Sequence, residues 1–171
     1  MPVVWLSLAL FCAFFVTAAI DGMYFHFQRF RLWQHPETRT EHALHTARAV
    51  LMPPTIAFLF APGHAALACA AVLVGLDLIA SLLDVAVERR SRERFGGLPH
   101  GEYVIHLVAT VFHVEAVTLA FAGRLSGIAA PPVGWAHGLV IVMVVGASFA
   151  AIQHVVLLCR GFVATPAGAV R

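Results

Sequence analysis

The sequence predicts an all-α, polytopic transmembrane helix bundle of about five spans, forming one integral-membrane domain over residues 1–171. Three observations predict it. The chain is 60% hydrophobic and 12% charged, with a mean hydropathy of +0.85, whereas soluble domains carry about 25% charged residues. Five apolar runs each come close to the ~20 residues that a helix rising ~1.5 Å per residue needs to cross a bilayer. All 11 basic side chains are Arg, and their placement alternates with those runs.

The first run, Val3–Phe27, has small residues at Val16-Thr17-Ala18-Ala19 but no basic segment before it. Its apolar character continues through Tyr24 and Phe25, so it is expected to remain as a span rather than be cleaved as a signal. The second, His42–Phe60, contains Pro53-Pro54, which should kink it or force a short irregular turn. The third is Ala65–Val87. The fourth, Tyr103–Phe121, is the least apolar because it holds His106, His113 and Glu115. The fifth is Trp135–Cys159. Short Gly- and Pro-rich connections at 61–64 and 123–134 join the spans on one side.

Arginine sets the expected orientation. Arg29, Arg31, Arg39 and Arg48 flank the first connection, Arg89, Arg90, Arg92 and Arg94 the third, and Arg160 and Arg171 the C-terminus. Only Arg124 falls opposite. The positive-inside rule then puts the N-terminus outside and the C-terminus in the cytoplasm of a multi-pass inner (plasma) membrane protein. Trp33, Trp135 and Tyr103 fall at the expected interfaces. A net charge of +2, with no basic run interleaved with aromatics, excludes a nucleic-acid surface. Cys12, Cys69 and Cys159 show no paired spacing, which argues against a thiolate metal site or redox dithiol and reads as buried small hydrophobes. Gly96-Gly97-Leu98-Pro99-His100-Gly101 reads as a tight turn, because no phosphate-loop Lys or Ser/Thr follows.

The chemistry lies in ionisable residues within the spans, where each charge costs ~2.5–3.5 kcal/mol on insertion scales and asks for a partner or a use. They gather toward the Arg-rich ends. Glu41 and His45 share a helix face at i, i+4, and Glu102 and His106 repeat that spacing, with His113 two turns further along. Asp77, Asp84 and Glu88 form one stripe on the third helix. The third and fourth helices are expected to be antiparallel neighbours with these stripes at one depth.

Carboxylate and imidazole without sulfur suit iron, manganese or zinc. Glu41, His45, Asp84, Glu88, Glu102, His106 and His113 are therefore the expected ligands of two divalent ions, iron or zinc. Asp21, His26, His42, Asp77 and His154 are left open as further members. Structural alternatives exist for several: Glu102 and Glu41 as helix-start carboxylates, with Thr40 as a cap for the latter, Glu88 paired with Arg92, and Asp84 paired with Arg48 or with an arginine of the loop that holds Arg92. Glu115 lies off the stripe, and His35, His64, His100 and His137 fall in loops or at span ends.

The function expected from this pattern is a membrane-embedded metalloenzyme, its site opening to the cytoplasmic leaflet and to a lipid-like or quinone-like substrate. It would be either a di-iron oxidoreductase needing an electron-donor protein, or a zinc-dependent lipid hydrolase needing only water. The ligand chemistry is that of ferritin-like di-iron bundles, but Glu-x-x-x-His replaces their Glu-x-x-His, and the His-x-x-His-His boxes of membrane desaturases are missing. Alternatives are a b-type haem cytochrome using His45, His106, His113 or His154, a proton- or ion-conducting relay through Asp77, Asp84, His113 and Glu115, and a structural membrane subunit.

Overall fold

The computed structural model describes residues 2–128 and 132–163. Arg171 and part of the 123–134 connection lie outside the described residues. The described chain is helical, with α1 (Pro2–Ala19), α2 (Arg39–Phe60), α3 (His64–Ser91), α4 (His100–Leu125) and α5 (Trp135–Val163). The α1 axis continues as a π-helix, Ile20–Arg29, and short 3-10 turns lie at Leu32–Gln34, Pro36–Thr38 and Glu93–Phe95. Five helices are thus long and apolar enough to cross a membrane.

The distribution of side chains is compatible with a bundle in lipid. Large apolar residues such as Leu82 and Phe149 are exposed on its outside, while Arg92, Glu41 and Glu102 are buried within it. Polar groups in a bilayer need internal partners, whereas leucines facing hydrocarbon do not. Cys12, Cys69 and Cys159 are free and exposed on that surface. They were expected inside, but a small apolar thiol is equally at home against lipid.

Helix α1 packs along α4, and α2 packs along both α3 and α5. The expected side-by-side pairing of α3 and α4 does not form, because α2 and α1 are the helices against which they lie. Ser7 on α1 fixes one such pairing by donating its hydroxyl to the Ala116 carbonyl at 2.8 Å. Toward the end away from the arginine-rich loops, the core is apolar, built from Leu8, Phe11, Ile56, Leu59, Val117 and Val140 among others. Alanines at Ala70, Ala116, Ala120 and Ala147 are buried between helices, where small side chains permit close approach.

Of the kink or short irregular turn expected at Pro53-Pro54, the irregular turn does not form: both prolines lie inside α2, which runs on to Phe60. They remove the donors that the Ala49 and Val50 carbonyls would otherwise receive. Arg124 closes the same helix from α4: its guanidinium donates to the carbonyls of Leu59 (2.9 Å), Ala61 (2.5 Å) and Gly63 (3.2 Å). Leu59 and Ala61 are the last residue but one and the C-cap of α2, where a helix end leaves carbonyls without intrahelical donors, and Gly63 ends the turn into α3. The lone arginine at that end is therefore a cap.

Candidate metal centre

The π-helix supplies the first two residues of the site. In an α-helix, residues five apart lie about 140° apart around the axis. Here the bonding is i→i+5, continued by Phe30 N–H donating to the Phe25 carbonyl at 2.9 Å. That wider winding brings Asp21 and His26 to one side, with Oδ1 and Nε2 3.6 Å apart. His26 Nε2 also lies 3.4 Å from Glu102 Oε1, at the start of α4.

From α2, His45 Nε2 lies 3.7 Å from Glu41 Oε1 and 3.4 Å from Asp84 Oδ2 of α3. The His26 and His45 rings are 4.2 Å apart. From α4, His106 approaches Asp21 through Nδ1 (3.4 Å) and Asp84 through Nε2 (4.0 Å). Three α-helices and the π-segment thus contribute to one polar centre. Glu88 is buried beside it, within electrostatic reach of His106, Glu41 and Glu102.

Of the predicted ligands, Glu41, His45, Asp84, Glu102 and His106 come together. His113 does not. Seven residues beyond His106 it lies about 10.5 Å further along α4, where its Nδ1 meets Asp77 Oδ2 at 3.6 Å and its ring stacks on Phe14 at 4.9 Å. Asp77 also accepts from Arg48 Nε at 3.2 Å. Asp21 and His26 join the centre, Asp77 belongs to this second group, and His42 and His154 stack on each other at 5.5 Å, both against the Phe27 ring.

Arg92 is the residue that sequence reasoning missed. It was counted with the loop arginines, yet it is 0% exposed. The chain leaves α3 through the Glu93–Phe95 turn and reverses at Gly96 and Gly97, whose φ values of 87° and 100° suit glycine alone. This turns the Arg92 side chain inward, over the Phe30 ring at 5.1 Å. Nη1 donates to Glu41 Oε2 at 2.6 Å and to Ser91 Oγ at 2.9 Å. Nε donates to Glu102 at 3.1 Å, and Nη2 donates to Glu102 Oε1. Burial alone would lower the Arg92 pKa, but the Glu102 hydrogen bonds and the Glu41 and Glu102 charges hold it above its ordinary value.

The structural alternatives divide accordingly. The Glu88–Arg92 pair does not form, because Arg92 is taken by Glu41 and Glu102. Thr40 lies inside α2 and does not cap it. Arg48 Nη1 does approach Asp84 Oδ2, at 3.9 Å. Glu115 is exposed, off the stripe as expected.

Much of the centre's hydrogen-bonding capacity is unused. Asp21 Oδ1, both His26 nitrogens, Glu41 Oε1, His45 Nε2, both Asp84 oxygens, Glu88 Oε1 and His106 Nδ1 are buried without a hydrogen-bond partner among the described residues. Native interiors seldom leave such atoms unsatisfied. Two overlapping triads, His26–Glu41–His45 and Asp21–His26–Glu102, present ligand atoms within 4.8 Å of one another. Asp21, His26, His45, Arg48 and His106 form the polar end of a cavity of about 670 Å³, whose walls are otherwise largely apolar side chains of α1, α2 and α5. Comparison of the chain with protein families, curated proteins and solved structures finds no match.

Proposed function

We propose that the chain is a membrane-embedded metalloenzyme that holds two divalent ions, iron or zinc, in the carboxylate–histidine centre and acts on a lipid-like or quinone-like molecule in the adjoining cavity. The observation that carries this reading is the convergence of buried carboxylate and imidazole atoms, many without a hydrogen-bond partner among the described residues, on the polar end of an apolar cavity. Charge supports it. Asp21, Glu41, Asp77, Asp84, Glu88 and Glu102 are buried, and two guanidinium groups, Arg48 and Arg92, face them, which leaves four negative charges for two divalent cations to balance. The donor set, oxygen and nitrogen without sulfur, suits these metals.

In this reading Arg92 holds Glu41 Oε2 and Glu102 in place and leaves Glu41 Oε1 for an ion. Asp84 and His106 would complete the centre from α3 and α4. Bound ions would supply Lewis-acid or redox chemistry. With iron, a separate electron-donor protein is required; with zinc, water suffices. The arginine-rich loops support a cytoplasmic side for the centre through the positive-inside rule.

Elemental analysis and an optical spectrum of the purified protein test the proposal. Two irons or zincs per chain are expected, without a Soret band. His45→Ala and Asp84→Asn should lose metal while remaining folded, and Glu115→Gln should keep the parent content. A Soret band with one iron would transfer the histidines to haem. A metal-free protein, or unchanged metal in both ligand variants, would overturn the reading.

A further inference from the structure

The same cavity carries information about how its occupant lies. Its polar end is close to one membrane face: Asp21 and His26 fall near the end of the first span, and Glu41, His45, Glu102 and His106 near the starts of the second and fourth. From there it extends along α5 from His154 to Leu139, about 22 Å at the helical rise, and along α1 from Asp21 back to Cys12, about 14 Å. The hydrocarbon layer is ~30 Å thick, so the cavity runs from the depth of lipid head groups toward the bilayer interior.

It also has a side opening. Val16 and Met23 of the first span and Val142 and Phe149 of α5 line the cavity and are at the same time exposed on the outside of the bundle. These residues are paired at i, i+7 on each segment, and α1 and α5 pack against each other only sparsely. Gly146 lies behind this rim, and a Cβ there would meet no atom within 4 Å.

The head of the occupant is constrained by charge. Arg48 is the guanidinium that lines the cavity among the described residues, and it is committed to Asp77 and Asp84. With two divalent ions bound, the six carboxylates, two guanidinium groups and two cations sum to zero, so a phosphate or carboxylate head would add a charge that nothing at the centre balances. An uncharged oxygen-bearing head, such as a quinone ring, alcohol, amide or ester, meets Thr110 and Gln153 instead.

Resting on the metalloenzyme reading, we propose that the substrate is a neutral-headed amphiphile taken sideways from the adjacent leaflet through the gap between α1 and α5. Its head lies at the Asp21–His26–His45–His106 centre and its chain points toward the bilayer midplane. The reacting atoms are then at the head end of the lipid, and the chain terminus is held away from the centre.

Photo-labelling in lipid nanodiscs tests this, using hexadecanol with a diazirine either beside the hydroxyl or near the methyl end. The first probe should label segments containing Asp21–His26 and His106, and the second those containing Cys12 and Leu139–Met143. Gly146→Leu, which grows into the cavity, should abolish labelling by the methyl-end probe. Palmitic acid should compete poorly with either probe. Labelling in the reverse order, labelling confined to the outer surface, or equal competition by palmitic acid would overturn the proposal. Metal content measured on the same samples separates the two readings: the expected labelling on metal-free protein would support this orientation and refute the metal centre, whereas reversed labelling on metal-loaded protein would refute the orientation alone.

Discussion

Arg92 holds two carboxylates from two different helices inside the bundle, and its removal would leave both buried without that counter-charge. Breaking a buried ion pair from one side costs about 3–5 kcal/mol. Arg92→Met is therefore expected to lower the thermal unfolding temperature of the purified protein sharply. Arg92→Lys should do so less, since it keeps the charge but loses the forked contact with Glu102. A methionine variant as stable as the parent would show that the clamp does not support the fold. The sequence made Glu41, His45, Asp84, Glu102 and His106 legible because i, i+4 spacing and membrane depth are properties of a regular helix. Arg92 was illegible because its inward turn depends on a loop reversal, and a topology rule counts every loop arginine alike. Asp21 and His26 could only be left open for a related reason: residues five apart do not share a face of an α-helix.

At the level of helices, α5 approaches the loop before α2 tightly at Gly161. A Cβ on Gly161 would stand 2.3 Å from the Trp33 carbonyl oxygen, which is backbone and does not move aside cheaply. Gly161→Ala is expected to destabilise by about 1–3 kcal/mol, the usual range for overpacking. Gly138→Ala on the same helix meets no atom within 4 Å. It should be neutral or stabilising, because alanine is favoured over glycine by about 1 kcal/mol in a helix interior. Thermal unfolding of the two variants side by side checks both, and equal melting would remove the close contact from the account. Span existence was readable from hydropathy, to within a few residues at each end. Which helices lie together was not: apolar stripes facing lipid and apolar stripes facing a neighbour look alike in composition.

For the molecule as a whole, the arginine distribution gives an orientation that can be measured. Reporter fusions after Arg94 and after Arg171 are expected to report cytoplasm, and a fusion at Pro131 the opposite side. An external Arg94 would reverse the orientation and move the polar centre to the other leaflet. The clustering of charge at one end was visible as soon as the spans were drawn, since depth follows from position along a span. The cavity was not visible, because it arises from small side chains on α5 and sparse packing against α1.

The scattering of the centre over the chain has a consequence for biosynthesis. Asp21, His26, Glu41 and His45 leave the ribosome long before Arg92 and Glu102, which lie just after α3 and within the first turn of α4. The helix against which α1 finally packs begins only at His100. During that interval the first two spans carry polar groups whose later counterparts, Arg92, Glu102 and His106, are not yet in the nascent chain. Early helices of this kind are poor candidates for independent release into lipid, so insertion and pairing belong to one late step. A chain arrested before Arg92 should be held at the insertion machinery or degraded, while one extending through α4 can satisfy its own interior.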